Sequence, residues 1–146
     1  MNDFLVSPTK VRLYALIDAL ESDLTDFIQS RLLTTHDPEQ VFSSPELEEA
    51  TRRRNDEVGE EEADLVRYLN LPDKFHVLSR WSSVFAPEEA QAFPELGKAV
   101  QALNEIRRRT HHDRPLHPGD ESNGLENAAA IVGSALPFDR IRRVLQ

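Results

Sequence analysis

Residues 7–34 read SPTKVRLYALIDALESDLTDFIQSRLLT, and this stretch decides the fold class. Ser7-Pro8 is a helix start, with serine placed to cap free N–H groups and proline in the first turn, where no N–H is needed. Val11, Tyr14, Ile17, Leu20, Leu24, Phe27, Ile28 and Leu32 then recur every three or four residues. That spacing predicts one apolar stripe on a helix from 8 to 34. Leu13 and Leu16 widen the stripe, so the helix is expected at the centre of a bundle. His36-Asp37-Pro38 ends it.

Outward from this helix the pattern stays helical. Ser43-Ser44-Pro45, with Glu46 and Glu48 behind it, starts a second helix. Its next turns are mostly charged, and Leu47, Ala50, Val58, Leu65, Tyr68 and Leu69 leave a thin apolar seam. Arg52-Arg53-Arg54 and Glu60-Glu61-Glu62 read as a solvated face, with Gly59 as a break. Leu71-Pro72-Asp73 begins a shorter helix with Phe75, Leu78, Trp81, Ser82 and Phe85 on one face. Phe93-Pro94-Glu95 begins another, with Leu96, Val100, Leu103 and Ile106 inward, running to about His112. Residues 115–122 read as a loop. Leu125, Ala128, Ala129, Ile131, Val132 and Leu136 make a further helix, and Ile141, Val144 and Leu145 a short terminal one. No stretch alternates apolar and polar residues for long. The expectation is an all-α compact bundle of five to six helices, one domain over residues 1–146.

Composition bounds the function. At 146 residues and 39 % hydrophobic content the chain can bury a single core. It has no cysteine, which excludes disulfides and cysteine-built metal sites. No apolar run approaches a membrane span, and the N-terminus lacks a signal-peptide layout, so a soluble, cytoplasmic protein is expected. A net charge of −9 argues against broad, non-specific nucleic-acid binding. One local exception stands out. Arg107-Arg108-Arg109-Thr110-His111-His112-Asp113-Arg114 gathers four arginines and two histidines at a helix end.

Arg107 and His112 have the R-x4-H spacing, flanked by Leu103-Asn104-Glu105-Ile106 before and Arg114-Pro115-Leu116 after. Over residues 103–116 the sequence resembles the HEPN superfamily of helical domains. Arg108 stands where that family often has Asn, and His111 where a small residue is usual. The resemblance implies a helical homodimer in which two motif helices build one composite site. It implies a metal-independent endoribonuclease, with no cofactor, that cuts single-stranded RNA to 2′,3′-cyclic phosphate ends. Such domains serve as toxins or as effectors in stress and anti-phage systems, beside a regulator, antitoxin or NTPase. One toxin class has a tyrosine where Arg114 stands here, which speaks against that pairing.

The residue chemistry is compatible with this. Histidine takes and gives protons near neutral pH. Arginine stays charged and offers paired donors to phosphate oxygens. The candidate catalytic residues are Arg107, His112 and His111, and the candidate phosphate-binding residues are Arg108, Arg109 and Arg114. On an ideal helix Arg107 and His112 lie about 140° apart, whereas Arg107 and His111 lie about 40° apart. His112 comes first on the family spacing, and His111 competes on geometry. Each residue has a plain reading as well. Arg107 serves as an ion-pair partner for Glu105 or for an acid on a neighbouring helix, and His112 as a C-terminal cap. The histidines with Asp113 and His117 match no zinc spacing, and no phosphate-cradling glycine loop is present. The other function class is a non-catalytic module of the same shape that dimerises and binds RNA or a protein partner.

Overall fold

The structure, a computed structural model, describes residues 7–57, 64–112 and 114–146. Eight α-helices and two 3-10 turns make up its regular structure, with no strand among the described residues. The helices are α1 (Pro8–Arg31), α2 (Pro38–Val41), α3 (Ser44–Asp56), α4 (Leu71–Arg80), α5 (Pro87–Gln91), α6 (Phe93–Thr110), α7 (Asp120–Val132) and α8 (Asp139–Leu145). Leu65–Tyr68 and Ser82–Val84 are the 3-10 turns. The all-α expectation holds, and the count exceeds five or six because α2, α5 and α8 are very short.

α1 is the axis of the bundle and packs against α4, α6, α7, α8 and the 65–68 turn. Ser7 caps it, its hydroxyl accepting from the Lys10 N–H. Leu13, Leu16, Ile17, Leu20, Leu24, Phe27 and Ile28 form its buried face. Each fully buried aliphatic side chain contributes about 1.5–3 kcal/mol. Leu20 has no exposed surface, so Leu20→Ala would cost about 2–5 kcal/mol and damage several helix contacts at once. The expected stripe was misplaced at its start. Val11 and Tyr14 are 54 % and 46 % exposed, and Leu13 and Leu16 take the inward positions. Two overlapping helical rows fit the sequence there, and packing against α6 and α7 selects the one through Leu13.

Several boundaries follow from local chemistry. Ser43 and Glu46 form a reciprocal capping box at the start of α3, as their spacing suggests. The second helix was expected to continue towards Leu69. α3 instead ends at Asp56, and Leu65–Tyr68 is a separate turn packed on it. Val58, Gly59 and Glu60-Glu61-Glu62 lie outside the described residues. α4 stops at Arg80, so Trp81, Ser82 and Phe85 follow it rather than extend its face. Trp81 packs edge-on to His36 and donates to the Val41 carbonyl at 3.3 Å, a packing role.

The 115–122 loop is shorter than expected, because α7 begins at Asp120. Gly119 precedes it at φ +89°, a left-handed conformation that other residues adopt only with strain. Gly124 lets α7 approach α1, since a Cβ there would lie 2.5 Å from Leu13 Cδ2. Ala129 is exposed, and Ala128 and Ile131 carry the contact. α8 docks on α1 through a buried carboxylate: Asp23 accepts from the backbone N–H groups of Arg140 and Ile141 at 3.2 and 2.9 Å. Among the described residues no helix is long and apolar enough to cross a membrane.

Candidate functional site at the end of helix α6

α6 begins at Phe93-Pro94-Glu95 and buries Leu96, Ala99, Val100, Leu103 and Ile106. This fixes the rotation of its last turn. Ile106 and Thr110 point inward, and Arg107 and His111 fall together on the side facing α1. The helix ends at Thr110, with His111 as its cap residue and the His111 N–H bonded to the Arg107 carbonyl at 2.9 Å.

The three arginines have different surroundings. Arg107 Nε donates to Glu21 Oε1 of α1 at 2.6 Å, and the Arg107 side chain is 33 % exposed. Its partner is thus an acid on a neighbouring helix. Glu105 lies instead near Arg108, at 3.8 Å, and the Arg108 side chain is mostly in solvent. Arg109 presents its fork to Asp120, with bonds of 2.7 and 2.8 Å. Asp120 is buried and also accepts the His117 N–H at 2.8 Å. The bonds from Arg109 hold its carboxyl below the ordinary range, outweighing the effect of burial. Arg109 therefore clasps the end of α6 to the start of α7, and its donors face Asp120 rather than a ligand. Arg114 is exposed, and its carbonyl accepts from Lys10 Nζ at 2.8 Å.

The two histidines also part company. His112 is exposed. The His111 ring stacks on Tyr14 of α1, centroids 4.0 Å apart and planes within 16°. Its Nδ1 lies 2.6 Å from Thr110 Oγ1. With Nδ1 engaged, Nε2 is the nitrogen available to a substrate, since it bonds to no described residue. Burial, and then the nearby Arg107 charge, push the ring below the usual histidine range. Glu21 and Asp18 oppose that shift. The result at neutral pH is an uncharged imidazole beside a permanent cation.

Tyr14, Asp18 and Glu21 were not in the expected site. Their spacing of four and three residues places them on one polar edge of α1, a signal masked by the assignment of Tyr14 to the core. Asp113 lies outside the described residues. Among those described, the three side chains close enough to share a cation are Glu46, Asp73 and His76, away from this helix end. Both Glu46 oxygens already accept from Arg80, at 2.6 and 2.9 Å. Arg107, His111 and His112 thus stand at one open helix end, Arg108 and Arg114 are exposed around it, and Arg109 is locked away from it. No family model matches this chain, and no curated protein or solved structure matches it.

Proposed function

We propose that the chain is a metal-independent RNA-cleaving domain acting at the C-terminal end of α6. The observation that carries this reading is the His111 ring, stacked on Tyr14 and held at Nδ1 by Thr110, with burial and the Arg107 charge lowering its pKa. With the Thr110 hydroxyl donating to the Arg107 carbonyl at 3.4 Å, its oxygen accepts the His111 Nδ1 proton, and in that tautomer the Nε2 lone pair is a competent base for a ribose 2′-hydroxyl. Arg107 supplies positive charge where the phosphorus centre gains negative charge. His112, exposed and one residue on, would protonate the departing 5′-oxygen. Arg108 and Arg114 would hold flanking phosphates. The resemblance of residues 103–116 to HEPN domains supports the same chemistry and adds a homodimeric site. Val11 and Tyr14, exposed beside this end of α6, offer apolar surface that a second copy would cover.

The test is cleavage of a labelled single-stranded RNA in EDTA. Cyclic-phosphate products are expected, with His111→Ala and His112→Ala each reducing the rate by about 10²–10⁴. Arg107→Ala is expected to do the same, with its helicity checked because Glu21 loses its partner. Loss in His112→Ala alone would return the base role to the residue with the family spacing.

A second reading has its own support. Glu21 and Asp120 already accept from Arg107 and Arg109, which leaves less positive charge for a scissile phosphate. This favours a non-catalytic module that binds RNA or a protein partner. A folded protein that retains RNA through Arg108 and Arg114 but never cleaves it would establish this reading over the first.

A further inference from the structure

A cavity of about 350 Å³ opens between α1, α4 and the 65–68 turn, on the other side of Glu21 and Asp18 from the α6 end. Its size is at the small end of ligand pockets, which run from about 300 to 1,000 Å³. Asp18, Ser22, Thr25, Gln29, Asp64 and Lys74 line it. Two of these are anomalous. Lys74 occupies a core position of α4, between Leu71 and Val77, and is 2 % exposed. Its one hydrogen bond is a long 3.4 Å contact to the Glu21 carbonyl, and no carboxylate reaches it within ion-pair distance among the described residues. Gln29 Oε1 is likewise buried and has no partner among the described residues. A buried amine with no carboxylate in ion-pair contact and a buried amide oxygen without a donor, among the described residues, are both costly to leave alone. Both line the same opening.

We propose that this cavity takes a small neutral hydroxy-aldehyde or hydroxy-ketone, of open-chain sugar type, and that Lys74 forms an imine with its carbonyl carbon. The wall chemistry selects such a ligand. Asp18, Asp64 and Gln29 Oε1 are acceptors for hydroxyl donors, whereas a free anion would meet four carboxylates, Asp18, Glu21, Asp26 and Asp64. Two arginines, Arg67 and Arg140, also line it; Arg140 is already paired with Asp26, and the carboxylates outnumber them. In the step itself the Lys74 Nζ lone pair adds to the carbonyl carbon and one N–H proton passes to the carbonyl oxygen. The carbinolamine then loses its hydroxyl with a second proton from nitrogen, giving C=N and one water. Glu21 and Asp18 are the carboxylates whose charge reaches Lys74, and Asp18, exposed on the wall, is the proton carrier. Burial, followed by the repulsion of Arg107 and Arg67, lowers the affinity of Lys74 for its proton, which leaves more of the nucleophilic free amine.

The chain has three lysines, Lys10, Lys74 and Lys98, so the test carries internal controls. The intact protein is treated with glyceraldehyde and cyanoborohydride at neutral pH, and each lysine is quantified by peptide mass spectrometry. Lys74 is expected to be modified ahead of Lys98, although the Lys98 side chain is 76 % exposed. Lys74→Met, checked for native helicity, should lose that adduct and leave Lys98 unchanged. Gln29→Leu should lower the Lys74 adduct from glyceraldehyde but not from formaldehyde, which has no hydroxyl to recognise. Modification in order of exposure, Lys98 first and Lys74 blank, would overturn the imine. An unchanged glyceraldehyde adduct in Gln29→Leu would overturn the choice of ligand.

Discussion

The chain carries two arginine triplets, Arg52-Arg53-Arg54 and Arg107-Arg108-Arg109, identical in sequence and opposite in use. On α3 the partners are close by. Arg52 pairs with Glu49 and Asp56 of its own helix, and Arg53 shares Glu49. On α6 the partners are remote. Arg107 reaches Glu21 of α1, 86 residues away, and Arg109 reaches Asp120 of α7. On α3 the exposed Arg52 balances its charge along its own helix, while the half-buried Arg53 also donates to the Tyr68 carbonyl at 3.1 Å. A triplet on a helix packed by both edges is divided, its outer members tying neighbours together and its middle member left in water. The composition of a charge run therefore says little until its packing is known.

The largest expected effect probes the tighter clasp. Asp120→Ala leaves the Arg109 fork and the His117 N–H without their acceptor. It should cost about 3 kcal/mol in urea unfolding. Glu21→Gln comes next, at about 1 kcal/mol, because Arg107 is partly in water. This variant has a sharper readout in the His111 ring titration followed by NMR. Glu21 supports the charged ring, so removing it should lower the His111 pKa further while Arg107 stays in place. An upward shift would break the assignment of Arg107 and Glu21 to one cluster with His111.

The pH profile of thermal melting gives a third, smaller effect. His111 has a folded pKa below its ordinary 6.5, so the unfolded chain takes up the proton first as pH falls. Stability should be level above about pH 6.5 and should decline below it, and His111→Phe should flatten that decline. Asp120 acts at lower pH. Its folded pKa lies below the ordinary 3.8, so its contribution is whole above that value and disappears as pH falls through the folded pKa. The smallest effect is expected on α3. Glu49→Ala should leave the unfolding midpoint unchanged within error, since Arg52 and Glu49 are solvated and screened. A loss there to match Asp120→Ala would erase the distinction between the triplets.

The pattern of apolar residues made most of the bundle legible. Ser7-Pro8, the Ser43–Glu46 box and the Phe93-Pro94-Glu95 start all lie where helix chemistry puts them. Periodicity failed at Val11 and Tyr14, where two rows of the same helix are apolar and only the neighbours choose between them. The candidate site was legible as a cluster of types, not as a set of pairings. Arg109 looked as available as Arg108, because Asp120 was read as part of a loop. Lys74 drew no attention, because a lone lysine between apolar residues does not announce burial.

The seat of α8 has a consequence for synthesis of the chain. Asp23 and the Ile141 N–H are 118 residues apart, so α1 can acquire this partner only after nearly everything between them has been made. While the ribosome still holds the C-terminal segment in its exit tunnel, the face of α1 that receives α8 stays uncovered. The nascent protein should therefore be a loose helical assembly until α8 emerges and close abruptly afterwards, with chaperones meeting the uncovered face in the interval.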